Sequence, residues 1–274
     1  MLPANRGLTV TFGGGAWFAL FYLGVAQYMS EHTKAKRKDS IRYAGISAGS
    51  SAASALALGI EPRIIAEDLI SLQPLCKNNA FRICKVTHGV AEYNIPQDDN
   101  VCRSVSDRLL LGLSEYKSVT HFKEYKKFTF EDREDLLSAL KATCHLPILN
   151  GLSPVYIEGT PFFDGSITQN WENLPLFEDC EDEAVLRVTT KRNEYLKDLR
   201  EGWITPRFDL PRRWQLFPPG SDALRFLMRL GYLRTWEYLT VYESTFFNNA
   251  DNNEELQKEL ELITNEKHLV QVAQ

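Results

Sequence analysis

The sequence predicts a three-layer α/β/α fold around a central, largely parallel sheet. Three observations carry this expectation. The first sixty residues run β-rich, glycine loop, helical, β-rich, small-residue turn, helical, which is the order of a doubly wound sheet. The strand-like runs are short, and the patterns after them have helical length. A chain of 274 residues that is 44% hydrophobic and 24% charged can bury one sizeable core.

The elements follow in order. GLTVTF (7–12) reads as the first strand, and AWFALFYLGVAQYMSEH (16–32) as a mostly buried helix. Leu8 to Ser30 carry no charge, Arg6 precedes them, and GVA at 24–26 has the look of a signal-peptidase site. Gly13, Gly14 and Gly15 interrupt that run. Each costs a helix about 1 kcal/mol against alanine, so strand, loop and buried helix is preferred over a signal or membrane helix. KAKRKD (34–39) is a solvated basic loop, IRYAGI (41–46) a second strand and Ser47 to Leu58 a second helix. EPRIIAEDLISLQ (61–73) is helical with Pro62 in its first turn. Residues 76–106 give no clear pattern. DRLLLGL (107–113) and KSVTHF (117–122) read as strands. TFEDREDLLSALKATCH (129–145) reads as a capped helix, with acids in its first turn and apolar Leu136, Leu137 and Leu140. PVYIEGTPFFDGS (154–166) is a hairpin about Glu158-Gly159-Thr160, and AVLRVTT (184–190) a further strand. DALRFLMRLGYLRTWEYLTVY (222–242) reads as a helix packed on the domain, with Arg225 and Arg229 on one face offering a weaker lipid-docking alternative. The tail over 248–274 is acidic, with Leu256, Leu260 and Ile263 on one stripe, and reads as a surface helix or partly disordered. The expected organisation is a main domain over 7–190, a helical extension packed on it over 191–247, and that tail.

A formal net charge of −5 disfavours a nucleic-acid scaffold, whose phosphate contacts need a basic face. Cys76, Cys84, Cys102, Cys144 and Cys180 are odd in number and scattered, without metal-ligand spacing. They point to a reduced, cytoplasmic compartment, and no metal or organic cofactor is expected.

YAGISAGSSAASALALG (43–59) carries the chemistry. Ser47 lies between Gly45 and Gly49 in a G-x-S-x-G pattern, after a strand and before a helix. Such a corner lifts the hydroxyl above the sheet and places it at a helix N-terminus, where developing negative charge is favoured. A base is needed. Of His32, His88, His121, His145 and His268, only His268 lies far enough downstream for a Ser, acid, His order, and it sits in the polar tail. His145, at a helix end, reads as a turn or packing residue. Asp164, at the end of an apolar strand and followed by Gly165, can take the proton directly if it reaches the hydroxyl. The glycines of FGGGAWFALFYLG (12–24) present open backbone amides for an oxyanion or a phosphate. A dinucleotide would need an acid about twenty residues on, where KAKRK stands instead.

The glycine loop, G-x-S-x-G and D-G-[GAS], in that order and without a histidine, resemble the patatin-like phospholipase family over roughly residues 7 to 190. Within it, ALKATCHLPILNGLSPVYIEGTPFFDGS (139–166) and LFPPGSDALRFLMRLGY (216–232) are similar to the adipose triglyceride lipase-like branch. The resemblance implies a patatin-like fold, with Ser47 as nucleophile and Asp164 as base of a Ser-Asp dyad. Gly45 and Gly49 would frame the elbow, and Asp164, Gly165 and Ser166 would form the D-G-[AGS] motif. The amides of Gly14, Gly15 and Ala16 would form the oxyanion hole. The chain departs where Ala16 and Ala19 replace glycines of the loop pattern, and where extra residues separate Asn170 from the NLP of 173–175. The implied activity is hydrolysis of glycerolipid carboxylic esters, at a peripheral membrane or lipid-droplet surface. The alternatives are an acyl-CoA-independent lipid transacylase and a catalytically weak lipid-binding or regulatory homologue.

Overall fold

Strands β1 (Leu8–Phe12), β2 (Ile41–Gly45), β3 (Leu109–Ser118) and β7 (Ala184–Val188) form the middle of the sheet in the computed structural model. The structure describes residues 7–170, 173–178, 184–191, 198–242, 246–248 and 253–264. With β4 (His121–Lys127), β5 (Val155–Ile157), β6 (Thr160–Asp164) and β8 (Trp203–Ile204), the sheet runs β5-β6-β3-β2-β1-β7-β8, and β4 pairs with β3. It is parallel through β3-β2-β1-β7-β8 and antiparallel where β4, β5 and β6 join. The chain is thus a mixed, largely parallel sheet flanked by helices. Both faces of β1 are covered, since Leu8, Val10 and Phe12 on one side and Thr9 and Thr11 on the other are buried. Thr11 Oγ1 donates to Pro175 O at 3.0 Å, tying the 173–178 segment to the strand.

Helix α1 (Ala19–His32) follows a 3-10 turn at Ala16–Phe18, and α2 (Ala48–Leu58) leads into α3 (Pro62–Leu72). Helix α2 packs on β1, β2 and β3, and α1 on α2 and α3. The patternless middle is helical, with α4 (Ile83–Asn94) and α5 (Asp99–Arg103). Helix α6 (Arg133–Thr143) packs on β3, β5 and β6. It begins later than TFED suggests, because Asp132 is its N-cap, accepting from the Asp135 amide at 2.8 Å. KSVTHF is not one strand. It holds the end of β3, a turn at Val119-Thr120 and the start of β4. The basic loop is a 3-10 helix over Ala35–Ser40. The β5–β6 hairpin turns through Glu158 and Gly159 at φ 50 and 76, both left-handed as a two-residue turn requires.

Helix α7 (Ser221–Val241) lies along α1. The two approach closely at two glycines. A Cβ on Gly24 would overlap the Met228 carbonyl, and one on Gly231 the Phe21 carbonyl. Arg225 and Arg229 are paired with Glu67 and Glu259, at 3.0 Å and 2.5 Å. In α8 (Glu254–Thr264), Leu260 and Ile263 of the expected stripe are buried. Among the described residues no helix is long and apolar enough to cross a membrane, and Leu8–Ser30 divides into β1, the glycine loop and α1.

Candidate active site

Sheet topology brings the sequence-predicted residues together. Parallel register aligns Phe12 with Gly45 and with Val188, so the loops after β1, β2 and β7 leave the same edge. Strand order reverses at β1, which places this edge at a topological switch point, where open α/β sheets form a crevice. Strand β6 completes the arrangement. Leu111 pairs with Gly45 and with Lys127, while Leu113 pairs with Asp164 and with Tyr125. Strands β2 and β6 therefore share the edge of β3 opposite β4. They run towards each other, so the end of β6 at Asp164 meets the end of β2 at Gly45.

Ser47 occupies the corner between β2 and α2 at φ 49 and ψ −125, a left-handed backbone costing a non-glycine residue about 1–3 kcal/mol. The surroundings hold it there. Its amide donates to Thr143 Oγ1 at 3.0 Å, and that hydroxyl donates to Gly112 O at 2.7 Å. Its carbonyl accepts from Ser50 Oγ at 2.6 Å. Gly45 and Gly49 are needed sterically. A Cβ on Gly45 would lie 2.7 Å from Gly49 O, and one on Gly49 would lie 2.5 Å from Phe12 O and Gly13 O. Small residues let α2 start against the end of β1.

Asp164 is fully buried. Its amide donates to His145 O at 3.0 Å, and its Oδ1 accepts from Ser166 N at 2.8 Å and Ser166 Oγ at 2.6 Å. Oδ2 is buried and accepts no hydrogen bond among the described residues. Burial pushes the carboxyl pKa up to about 6, and the Ser166 donors and then the Ser47 hydroxyl pull it down. Gly165 is required because a Cβ there would overlap Gly112 O.

The glycine loop faces both. A Cβ on Gly14 would come within 3.5 Å of Ser47 Cβ and 3.6 Å of Ser166 Cβ. The Gly13 amide is taken by Val188 O at 2.9 Å, whereas Gly14, Gly15 and Ala16 donate no amide hydrogen bond among the described residues. Tyr22, fully buried on α1, donates to Gly14 O at 2.9 Å and contacts Thr190 Oγ1 at 3.0 Å. Fixing that carbonyl turns the Gly15 N–H to the opposite side of the same peptide plane. Ala16 sits at φ 51. Ala19, the other departure from the glycine pattern, is ordinary right-handed helix at φ −46.

Ser47, Ser166 and the loop from Gly13 to Ala16 line a cavity of about 290 Å³, with Leu146, Gln169, Thr190, Lys191 and Leu216 at its walls. Gln169 was not a sequence candidate. It is 1% exposed, and neither its Oε1 nor its Nε2 has a partner among the described residues. Gly112 makes room for it, since a Cβ there would overlap Gln169 Oε1. Tyr22 and Thr143 were missed too, since a helical tyrosine and a helix-end threonine read as packing. Asn170 and Asn173 bracket the extra residues, the Asn170 amide donating to Asn173 Oδ1 at 2.7 Å. His145 contributes its backbone carbonyl. Its ring tilts against Phe163 at 5.5 Å between centroids, and burial lowers its pKa. His268 and Cys180 lie outside the described residues. Cys76, Cys84, Cys102 and Cys144 are free thiols, and the described residues contain no metal-binding cluster.

No protein-family model matches the chain. Curated relatives do. Patatin-like phospholipase domain-containing protein 5 of Mus musculus is 29% identical over 189 residues, covering 65% of this chain and 41% of that protein. Patatin-like phospholipase domain-containing protein 2 of Homo sapiens is 23% identical over 255 residues, covering 85% of this chain and 48% of that protein. 1-Acylglycerol-3-phosphate O-acyltransferase PNPLA3 of Homo sapiens is 22% identical over 180 residues, covering 62% and 36%. The chain thus spans about half the length, or less, of these relatives. Among solved structures, VipD from Legionella pneumophila superposes with a TM-score of 0.49 at 12% identity, over 86% of this chain and 67% of that one. In sequence, over most of its length, the chain is similar to patatin-like phospholipase domain-containing proteins.

Proposed function

We propose that this chain hydrolyses carboxylic esters of glycerolipids, with Ser47 as nucleophile and Asp164 as its base. The observation that carries the reading is the buried Asp164 carboxyl, whose Oδ2 has no partner among the described residues and whose pKa the nearby Ser47 hydroxyl lowers. A carboxylate desolvated to a pKa of about 6 is ionised at neutral pH and basic enough to take a proton as the hydroxyl attacks. Ser47 Oγ adds to the ester carbonyl, and its proton passes to Asp164 Oδ2. The oxyanion is held by the open amides of Gly14, Gly15 and Ala16. Collapse expels the alcohol, which takes the proton from Asp164, and leaves an acyl-serine. Water, deprotonated by Asp164, attacks the acyl carbonyl; the fatty acid leaves as Asp164 returns the proton to Ser47 Oγ. The Gln169 amide, without a partner among the described residues, supplies a further polar contact at the cavity wall. The names of the relatives support a lipid substrate. The acyltransferase among them favours a second reading, in which a glycerolipid hydroxyl replaces water in the last step.

A fluorophosphonate tests the proposal. Ser47 is expected to be its site of attachment, and Asp164→Asn to slow labelling by a hundredfold or more, on the order of a lost general base. Ser47→Ala should remain folded and inactive. Equal labelling rates with Asp164 and with its Asn variant would place the base elsewhere. Adding a lysophospholipid acceptor then separates transfer from hydrolysis by product.

A further inference from the structure

A short turn stands at the mouth of the Ser47 cavity, and the function proposed above gives it no task. Residues Arg212–Gln215 form a 3-10 turn between Pro211 and the pair Pro218-Pro219. It is closed by Trp214 N to Pro211 O and Phe217 N to Arg213 O, each at 2.9 Å. Trp214 points inward and is 2% exposed, whereas Leu216 and Phe217 point outward at 37% and 47%. Arg212 and Arg213 are exposed and form no ion pair among the described residues. Gln215 and Leu216 line the cavity, and so does Lys191, also exposed. Two further exposed apolar residues stand close in the chain to cavity-lining ones. Ile148, 73% exposed, lies two residues from cavity-lining Leu146, and Ile167, 37% exposed, follows Ser166.

We propose that the turn over residues 212–217, with Lys191, Ile148 and Ile167, docks the mouth of the cavity onto an anionic lipid surface. A buried tryptophan anchors the turn, prolines stiffen it, and outward leucine and phenylalanine flanked by arginines match an interface of acyl chains under anionic headgroups. Charge complementarity selects the partner, because this cationic rim stands on a chain of net charge −5. The other basic segments do not serve. Arg225 and Arg229 are paired with Glu67 and Glu259. Residues 34–39 lie at the opposite edge, since Lys38 and Asp39 line a cavity with Arg108, just ahead of β2 and β3. Docking there would turn Ser47 away from the lipid. The 212–215 turn also packs on the Ala16–Phe18 turn, so the docked element sits directly on the end of the glycine loop.

The inference rests on the reading of Ser47 as an ester-cleaving nucleophile, and its test separates the two. Binding is measured with the Ser47→Ala chain by co-sedimentation with phosphatidylcholine vesicles, with and without phosphatidylserine. Turnover of a water-soluble short-chain ester is measured with Ser47 intact. The expected result is binding to the mixed vesicles only. Phe217→Ser and the pair Arg212→Glu, Arg213→Glu each weaken it about tenfold or more, with melting temperature and soluble-ester turnover unchanged. Vesicle binding that survives both changes, or no preference for phosphatidylserine, overturns the docking surface. Binding that obeys these expectations while the soluble ester is never cleaved upholds the surface and counts against the Ser47 chemistry alone.

Discussion

As the proposed base, Asp164 carries opposite demands of stability and chemistry on one carboxyl. Its pKa stands at about 6 in the fold against an ordinary 3.8, because burial disfavours the charged form. A raised pKa contributes stability fully below pH 4, and that contribution is lost as pH rises through 6. The loss is about 3 kcal/mol at neutral pH. Asp164→Asn keeps an acceptor for the Ser166 donors and removes the buried charge. Its melting temperature should therefore exceed the parent's at pH 8, the gap narrowing through pH 6 and closing near pH 4. A pH-independent gap would show that the carboxylate is not strained by burial. With Asp164 as the proposed base, the same pKa predicts an acid limb of kcat/KM near pH 6 in the parent. The alanines of the glycine loop separate in the same way. Ala16 sits at φ 51 and lines the cavity, whereas Ala19 is right-handed helix and does not line it. Ala16→Gly should relieve about 1 kcal/mol of left-handed strain and shift acyl-chain preference. Ala19→Gly should cost about 0.4–1 kcal/mol and leave the preference alone. Melting curves beside kcat/KM on short and long acyl esters decide both. A flat chain-length preference in Ala16→Gly would remove the loop from the reacting centre.

Between residues and fold stand the elements that aim them, and here the start of α2 matters most. Gly49 lets the first turn of α2 rest on the backbone of Phe12 and Gly13, each carbonyl 2.5 Å from where a Cβ would sit. Gly49→Ala must push α2 and Ser47 off β1, at about 1–3 kcal/mol. Turnover should fall by more than that stability loss explains, because the hydroxyl moves relative to both Asp164 and the loop amides. Gly89, on α4 with open space around it, is the control. Gly89→Ala should gain about 1 kcal/mol and leave turnover untouched. These elements also mark how far the sequence could be read. β1, the glycine loop, β2 and the elbow were legible because strand period, glycine punctuation and helix length agree there. Residues 76–106 were not, because α4 buries only Ile83, Cys84, Val86 and Val90 among charged and polar neighbours. KSVTHF misled because β-branched Val119 and Thr120 sit in the turn, Val119 at 82% exposure. Asp164 was legible as a motif. The head-on meeting of β6 with β2 along β3, which brings it to Ser47, is tertiary and leaves no local pattern. Gln169 went unread for the same reason, since its amide sits in space that distant Gly112 leaves open.

At the scale of the molecule, the site depends on how firmly α7 is held to α1, because Tyr22 on α1 fixes the glycine loop through Gly14 O. The glycines of α1 and α7 are placed reciprocally. Gly24 admits the Met228 carbonyl and Gly231 admits the Phe21 carbonyl, so each helix presents a Cβ-free notch to the backbone of the other. Either Gly24→Ala or Gly231→Ala should force the helices apart, costing about 1–3 kcal/mol in overpacking beyond the small gain in helix propensity. The two notches share one interface and lie two helical turns apart or less on it. Once one alanine has separated the axes, the second meets a gap already opened. The double variant should therefore lose less stability than the two single losses added, with a coupling of about 0.5–3 kcal/mol in a double-mutant cycle. Additive losses in urea titrations of the four proteins would mean that the notches yield independently, by local bending rather than by separation of the helices. Turnover adds a second readout to the same cycle. Phe21 is next to Tyr22, so displacement of α1 at Gly231 should loosen the Tyr22–Gly14 hydrogen bond and lower kcat. Gly24→Ala, one turn past Tyr22's neighbour, should do so less.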